Sequence, residues 1–321
     1  MPATSAKRLR SGLGPSLMMF ALTVTMAGCD AAGSEQNAGE SATSRVPHLT
    51  TANKKGMPLD DYLLNPSQFE DVKSAYSQSI AKCVRSYGMT FETPNPSATP
   101  SALPDSPTTR IDGRFGFQSM TYAKKWGYHP PGGISKNKEK ATKNTDADPD
   151  KWFALTGSRN IKEMSGPGGV LRNGKRVPSH GCVGSAVMQL TGSRDGQIGD
   201  ADISTDLKFE TLIKARNDPR TLRVFSLWSD CMREIGYSYG GPLDASSDPR
   251  WTESEKPTKE EIEIAVADQK CRKRHNVVGI WFAVDSEYQE RAVTDNRAAL
   301  SEAKKQLDRQ VNAARKILLT H

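Results

Sequence analysis

Apolar residues recur at helical spacing along most of this chain. Phe69, Val72, Tyr76, Ile80, Cys83, Val84 and Tyr87 fall three or four apart. Asn65-Pro66 before them reads as a cap with proline at the first helical position, and Gly88 after them stops the run. The pattern predicts an amphipathic helix with Cys83 on its buried face. Shorter helices are expected over Ser119 to Trp126 and Cys182 to Leu190. Five prolines among Ser and Thr mark residues 91 to 109 as an exposed loop, and Lys136 to Asp150 is polar with no packing face.

The C-terminal half reads as helical throughout. Leu207 to Arg216 forms one candidate, and after Asp218-Pro219 a second carries Leu222, Phe225, Trp228, Cys231, Met232 and Ile235 on one face. Thr258 and Glu261 have the spacing of a capping box for a helix through Arg274. From Val277 to Leu319 only Gly279 and no proline interrupts the pattern. At 1.5 Å per residue, one helix of roughly 60 Å is expected there. Its apolar positions thin beyond residue 292 to Val293, Leu300, Leu307, Val311 and Leu318, with Arg297 and Lys304 interrupting the seam. The distal half is therefore expected to be the more mobile, and dispensable after Glu290. The one β signal is Val170 to Val177 around Asn173-Gly174, which fits a hairpin with a type I′ turn. The expected fold class is mainly α: helical hairpins, a long C-terminal helix and a minor β-hairpin.

The N-terminus changes the picture from fold to location. Lys7, Arg8 and Arg10 precede an apolar stretch over residues 13 to 26 that is too short to span a bilayer comfortably. Ala27 and Gly28 then precede Cys29. Small residues let a peptidase approach the backbone, and the Cys29 thiol is the nucleophile able to take a diacylglycerol thioether. Met26 stands where a lipobox usually has leucine. The reading is a lipoprotein signal over 1–28, lipidation at Cys29, and a flexible spacer over 29–56 whose Ala, Gly, Ser and Thr cannot bury enough surface to order themselves. A helical, loop-rich unit over 57–200 and a helical unit over 201–321 follow. The expected site of action is the outer face of a cytoplasmic membrane.

Charge adds little. The formal net charge of +7 falls to +4 when Lys7, Arg8 and Arg10 leave with the signal. Basic residues cluster around 124 to 143 and 270 to 274 without interleaved aromatic platforms, so a solvated surface is expected and no nucleic-acid partner. Attraction to anionic headgroups or to an acidic wall polymer is physically allowed.

Of five cysteines, four remain once Cys29 is lipidated: Cys83, Cys182, Cys231 and Cys271. An even number in an exported chain suits a disulfide framework. Sequence does not choose rigorously among the three possible pairings, but placement favours one. Cys231 and Cys271 lie on consecutive helices joined by a Gly- and Pro-rich loop, which leaves Cys83 for Cys182. No Cys-x-x-Cys occurs and His180 is the sole histidine near a cysteine, so neither a metal nor a cofactor is expected. The segments Cys83-Val-Arg-Ser-Tyr-Gly88 and Cys231-Met-Arg-Glu-Ile-Gly236 also echo one another, each placing a cysteine five residues before a helix-ending glycine.

The lipobox, these two helix ends, Val177-Pro178 leading into Gly181-Cys182-Val183-Gly184, and Trp228-Ser-Asp-Cys231 followed by Ala267-Asp268-x-x-Cys271 and Trp281 resemble uncharacterised secreted lipoproteins of actinobacteria. The resemblance implies export and a four-cysteine framework, and no reaction. Ser179-His180-Gly181-Cys182-Val183 is similar to the active-site motif of L,D-transpeptidases, which would make Cys182 a nucleophile beside His180. That family's arginine is replaced by Gly184, and the nearest upstream histidine, His129, lies more than fifty residues away. A free Cys182 would also strand one thiol in an oxidising compartment.

The expected function is thus a membrane-anchored extracytoplasmic binding or envelope component without enzymatic activity. The alternatives are a cysteine-dependent peptidoglycan enzyme and an assembly protein using the last helix. Other features read as structural. Gly166-Pro-Gly-Gly and Gly132-Gly133 lack the context of a phosphate cradle, and Asp285, Glu287, Glu290 and Asp295 fit a solvated helix face. Trp126, Tyr128 and Trp152 fit packing rather than a ligand platform.

Overall fold

The computed structural model describes residues 46–52, 55–91, 112–134 and 148–320. Cys29, the signal, most of the spacer, the proline-rich loop and most of the polar stretch before residue 150 lie outside the described residues. The chain folds mainly into helices, with one two-stranded antiparallel sheet and two disulfides.

Helix α1 (Pro66–Ser86) starts where Asn65-Pro66 predicts. The Asn65 side chain accepts from the Gln68 amide, and Gln68 reaches back to the Asn65 amide at 3.0 Å. After the short helices α2 (Asp112–Phe115), α3 (Met120–Trp126) and α4 (Pro149–Thr156), strands β1 (Gly169–Val170) and β2 (Arg176–Val177) form the hairpin. Its turn differs from the expected one. Gly174 is left-handed at φ 80° but Asn173 is not, and Leu171 pairs with both Gly174 and Lys175, which makes a three-residue loop with a glycine bulge.

The rest is helical: α5 (Gly181–Thr191), α6 (Asp202–Asn217), α7 (Pro219–Glu234), α8 (Pro242–Ser246), α9 (Lys259–Arg274), α10 (Val277–Asp295) and α11 (Arg297–Leu319). The single 60 Å helix expected over 277–319 is two helices. Asn296 breaks it, because its side chain donates back to the Ala292 carbonyl at 2.9 Å and competes with the helical ladder. The break lets α10 lie along α6 and α7 while α11 lies along α1 and α5.

One core gathers Trp228, Trp281, Phe115, Ile264, Met232 and Val278 from α2, α7, α9 and α10. Others join α11 to the N-terminal elements: Leu307 and Val311 pack with Leu64, Val72 and Leu190, and Leu300 packs with Leu59, Leu63 and Leu207. These clusters draw on residues from both sides of position 200. They also overturn the expectation of a loose distal helix, since Leu300, Ala303, Leu307, Val311 and Ala314 are all buried. Small alanines carry the seam where the sequence seemed thin.

Cys83 on α1 joins Cys182 on α5, and Cys231 on α7 joins Cys271 on α9, with Cα separations of 5.6 and 5.8 Å. The echoed helix ends share their geometry. Gly88 and Gly236 are left-handed at φ 83° and 92°, and each amide donates to the arginine carbonyl three residues earlier.

Within the stretch read as spacer, residues 46–52 are held against α9 and α10. Asn276 is left-handed at the α9–α10 junction (φ 51°); its side chain accepts from the Leu49 amide at 2.9 Å and donates to the Pro47 carbonyl at 3.2 Å. The Ala52 amide donates to Gln118 at 2.7 Å, and Ala52 is fully buried. Side chains from distant elements supply the order that this segment's own composition cannot.

Candidate functional site

The residues around Cys182 form a tight backbone knot. His180 sits in the left-handed region at φ 58° as the cap of α5, and its amide donates to the Gly166 carbonyl at 2.8 Å. The Gly166 amide in turn donates to Thr156 at 2.9 Å. A side chain at Gly166 would place its Cβ 2.5 Å from the Gly157 carbonyl oxygen, so Gly166-Pro-Gly-Gly serves close approach of two backbones. That removes the phosphate-cradle alternative for this loop.

The chemistry expected of a nucleophile is not assembled here. Cys182 is fully buried and its sulfur is bonded to Cys83. His180 turns its ring toward Asp195, with Nε2 3.5 Å from the carboxylate. His129, the other histidine of the enzyme alternative, is committed elsewhere. Its Nδ1 lies 2.8 Å from the Glu261 carboxylate and its Nε2 lies 3.0 Å from the Ser254 carbonyl. Cys182 and His129 are therefore not partners in this fold.

Glu261 corrects a further expectation. Thr258 does cap α9, accepting from the Glu261 amide at 3.1 Å, but the Glu261 side chain does not return to complete a box. It is fully buried and accepts from the amides of Tyr128 and His129 at 2.8 and 3.0 Å as well as facing the imidazole. Gly127, left-handed at φ 56°, makes room for it: a Cβ there would stand 2.7 Å from the carboxylate oxygen. Burial alone would lower the His129 pKa, yet bonding to Glu261 and Ser254 outweighs it and holds the imidazole above its ordinary value.

Two further buried ion pairs lie in the same half of the molecule. Arg272 donates to Asp268 at 2.7 Å, and Asp268 also accepts from the Trp228 indole at 2.9 Å and the Tyr128 hydroxyl at 3.2 Å. Burial still pushes the Asp268 carboxyl upward, and burial together with Asp268 raises the Tyr128 phenol well above its usual range. Arg114 pairs with Asp285 through Nε and through Nη2, the latter at 2.8 Å. Asp285 is fully buried, so the solvated face expected for it does not hold. These groups are held by protein partners, and they tie α2, the turn after α3 and α10 into the core.

Tyr128 packs within the core against Trp251, as the packing reading expects, with ring centroids 6.0 Å apart. Trp152 anchors a loop by donating to the Asn160 carbonyl at 3.1 Å.

What sequence reasoning missed is an open cleft of about 380 Å³ where the end of α6 and the start of α7 meet the loop before α8. Ile213, Arg216, Leu222, Phe225, Gly240 and Asp244 line it. The expected buried face of α7 misplaced Leu222, which is 50% exposed at the rim; Thr221 and Val224 are buried instead. No metal cluster occurs among the described residues, and none of their helices is long and apolar enough to cross a membrane.

Fold and site together define a mainly helical, disulfide-braced protein with an amphipathic cleft and no assembled thiol–imidazole centre among the described residues. No protein-family model, curated protein or solved structure matches the chain.

Proposed function

We propose that this chain is a lipid-anchored extracytoplasmic binding protein. The observation that carries the reading is cysteine usage. Cys83, Cys182, Cys231 and Cys271 are consumed in two disulfides, which suit an oxidising compartment, and the remaining cysteine is the one placed directly after Ala27-Gly28. Diacylation adds two acyl chains, and at about 0.8 kcal/mol per buried methylene two chains anchor durably where one is marginal. A non-enzymatic role is supported by the Cys83–Cys182 disulfide, which leaves no free thiol at position 182. The mildly basic mature chain is compatible with an anionic membrane or wall polymer nearby.

Metabolic labelling with palmitate tests the reading. The wild-type chain takes up label and fractionates with membranes; Cys29→Ala loses the label and is released or stalls as precursor. A Cys29→Ala chain that remains membrane-bound at mature mass defeats the anchor. Alkylation of Cys182 in the unreduced wild-type chain would reinstate the peptidoglycan-enzyme alternative.

A further inference from the structure

The cleft between α6, α7 and α8 carries a specific ligand chemistry. Part of its wall is aliphatic and aromatic. Ile213 is 59% exposed and Leu222 50% exposed, an unfavourable display of two large apolar side chains lining one depression. Phe225 is half-buried in the wall, with its ring edge-to-face on Trp281 at 5.0 Å, so this wall is rigid and backed by core. Two ionised groups line the same depression: Arg216 from the last turn of α6 and Asp244 from the first turn of α8.

Both charges are exposed, and neither forms an ion pair with any described residue, although ion pairs are plentiful elsewhere on this surface. They line one cleft without neutralising each other. Gly240 and Gly241 form the neighbouring edge, and the Asp244 carboxylate lies over them: a Cβ at Gly240 would stand 3.0 Å from its oxygen. A cation and an anion lining one cleft together with apolar side chains match a ligand that carries a carboxylate, an ammonium and an aliphatic side chain. The cleft volume of about 380 Å³ falls in the range of small-ligand sites.

The geometry points to a short zwitterionic peptide, of two or three residues with an aliphatic side chain, as the ligand of this cleft. Arg216 takes the carboxylate, Asp244 takes the ammonium, and Ile213, Leu222 and Phe225 cover the side chain. The assignment deepens the binding reading above and rests on it, but not on lipid anchorage.

The test is calorimetric titration of the full chain in detergent with leucyl-leucine, its N-acetyl form and its C-terminal amide. Free dipeptide is expected to bind, and each capped form to bind about tenfold more weakly, the loss of one charge-assisted contact. Arg216→Ala abolishes the difference between acid and amide, whereas Asp244→Asn abolishes the difference between free and acetylated amine. Ile213→Ser weakens all three ligands together. Both charged positions are exposed, so near-ultraviolet circular dichroism is expected to be unchanged in the variants. Absence of saturable binding by a folded chain overturns the assignment, as do capped peptides that bind as tightly as free ones. Selection by the amide but not the amine would leave a simple anion site and equally defeats the zwitterion. Palmitate labelling is untouched by any of these outcomes, so failure here is distinguishable from failure of the anchor.

Discussion

Replacing Asp285 by alanine isolates what the buried ion pairs contribute. Asp285 is fully buried and the Arg114 side chain is 3% exposed, so removal of the carboxylate leaves a guanidinium in the core. Two of its bonds survive, to the Lys208 carbonyl and the Thr211 hydroxyl, both at 2.7 Å. These satisfy protons but do not neutralise charge, and Gln289 loses its 3.1 Å bond to Asp285 as well. Breaking one side of a buried pair costs about 3–5 kcal/mol. For a chain of this size that lowers the melting temperature by roughly 10 °C. The double replacement Arg114→Met with Asp285→Leu removes both charges and fills similar volume, and it is expected to recover most of the loss. Urea unfolding followed by tryptophan fluorescence reads the change directly, because Trp281 lies one turn before Asp285 on α10. Glu290→Ala on the same helix is the control and is expected to shift stability by no more than about 0.5 kcal/mol. An Asp285→Ala cost below about 1 kcal/mol, the value of a solvated surface pair, would refute the burial argument.

Truncation after Glu290 removes Leu300, Leu307 and Val311 from two hydrophobic clusters and is expected to unfold α1 and α5, since each buried leucine carries about 2–5 kcal/mol; limited proteolysis that leaves residues 66–86 protected would contradict this. Cys182→Ala opens the bridge whose partners are 99 residues apart and should cost on the order of 5 kcal/mol, against about 4 for Cys231→Ala across 40 residues, read as urea midpoints under non-reducing conditions. The His129 imidazole is held above its ordinary value of about 6.5, so its stabilisation is complete below that pH and is lost as pH rises through the raised folded value. The urea midpoint should therefore fall on moving from pH 6 toward alkaline conditions, and His129→Gln should flatten that fall; an unchanged slope in the variant would assign it to another group.

The readable parts of the fold were those whose cause is local. Asn65-Pro66 and Asp218-Pro219 start helices because a side-chain acceptor and a fixed φ act within three residues. The Cys231–Cys271 bridge followed from two neighbouring helices. Glu261 shows where local reasoning stops. At its position a return bond to the cap was the nearest available partner, but the turn after α3 delivers two amides and an imidazole from more than 130 residues away, and they win. Asp285 was misread for the same reason, its partner Arg114 being 171 residues distant. Residues 46–52 were misread because their order comes from Asn276 and Gln118 rather than from their own apolar content.

The cleft was hidden by a different cause. Ile213 and Leu222 fit helical periodicity, and periodicity assigns apolar residues to a core without saying which of them the core has room for. On α7 the buried stripe runs through Thr221, Val224, Trp228, Cys231 and Met232, so the turn that would have covered Leu222 faces outward. Thr221 at 0% exposure occupies the inward place that a larger residue could have taken. A threonine inside and a leucine outside, one residue apart, invert the preference that transfer free energies alone dictate. Such an inversion costs stability unless something covers the leucine for part of the time. The same cleft is lined by Ile213, Arg216 and Asp244, each ordinary in isolation and none marked by a motif. Their meaning arises only when the Asp218-Pro219 turn folds α7 back beside α6 and the loop through Gly240-Gly241 returns α8 to the same edge.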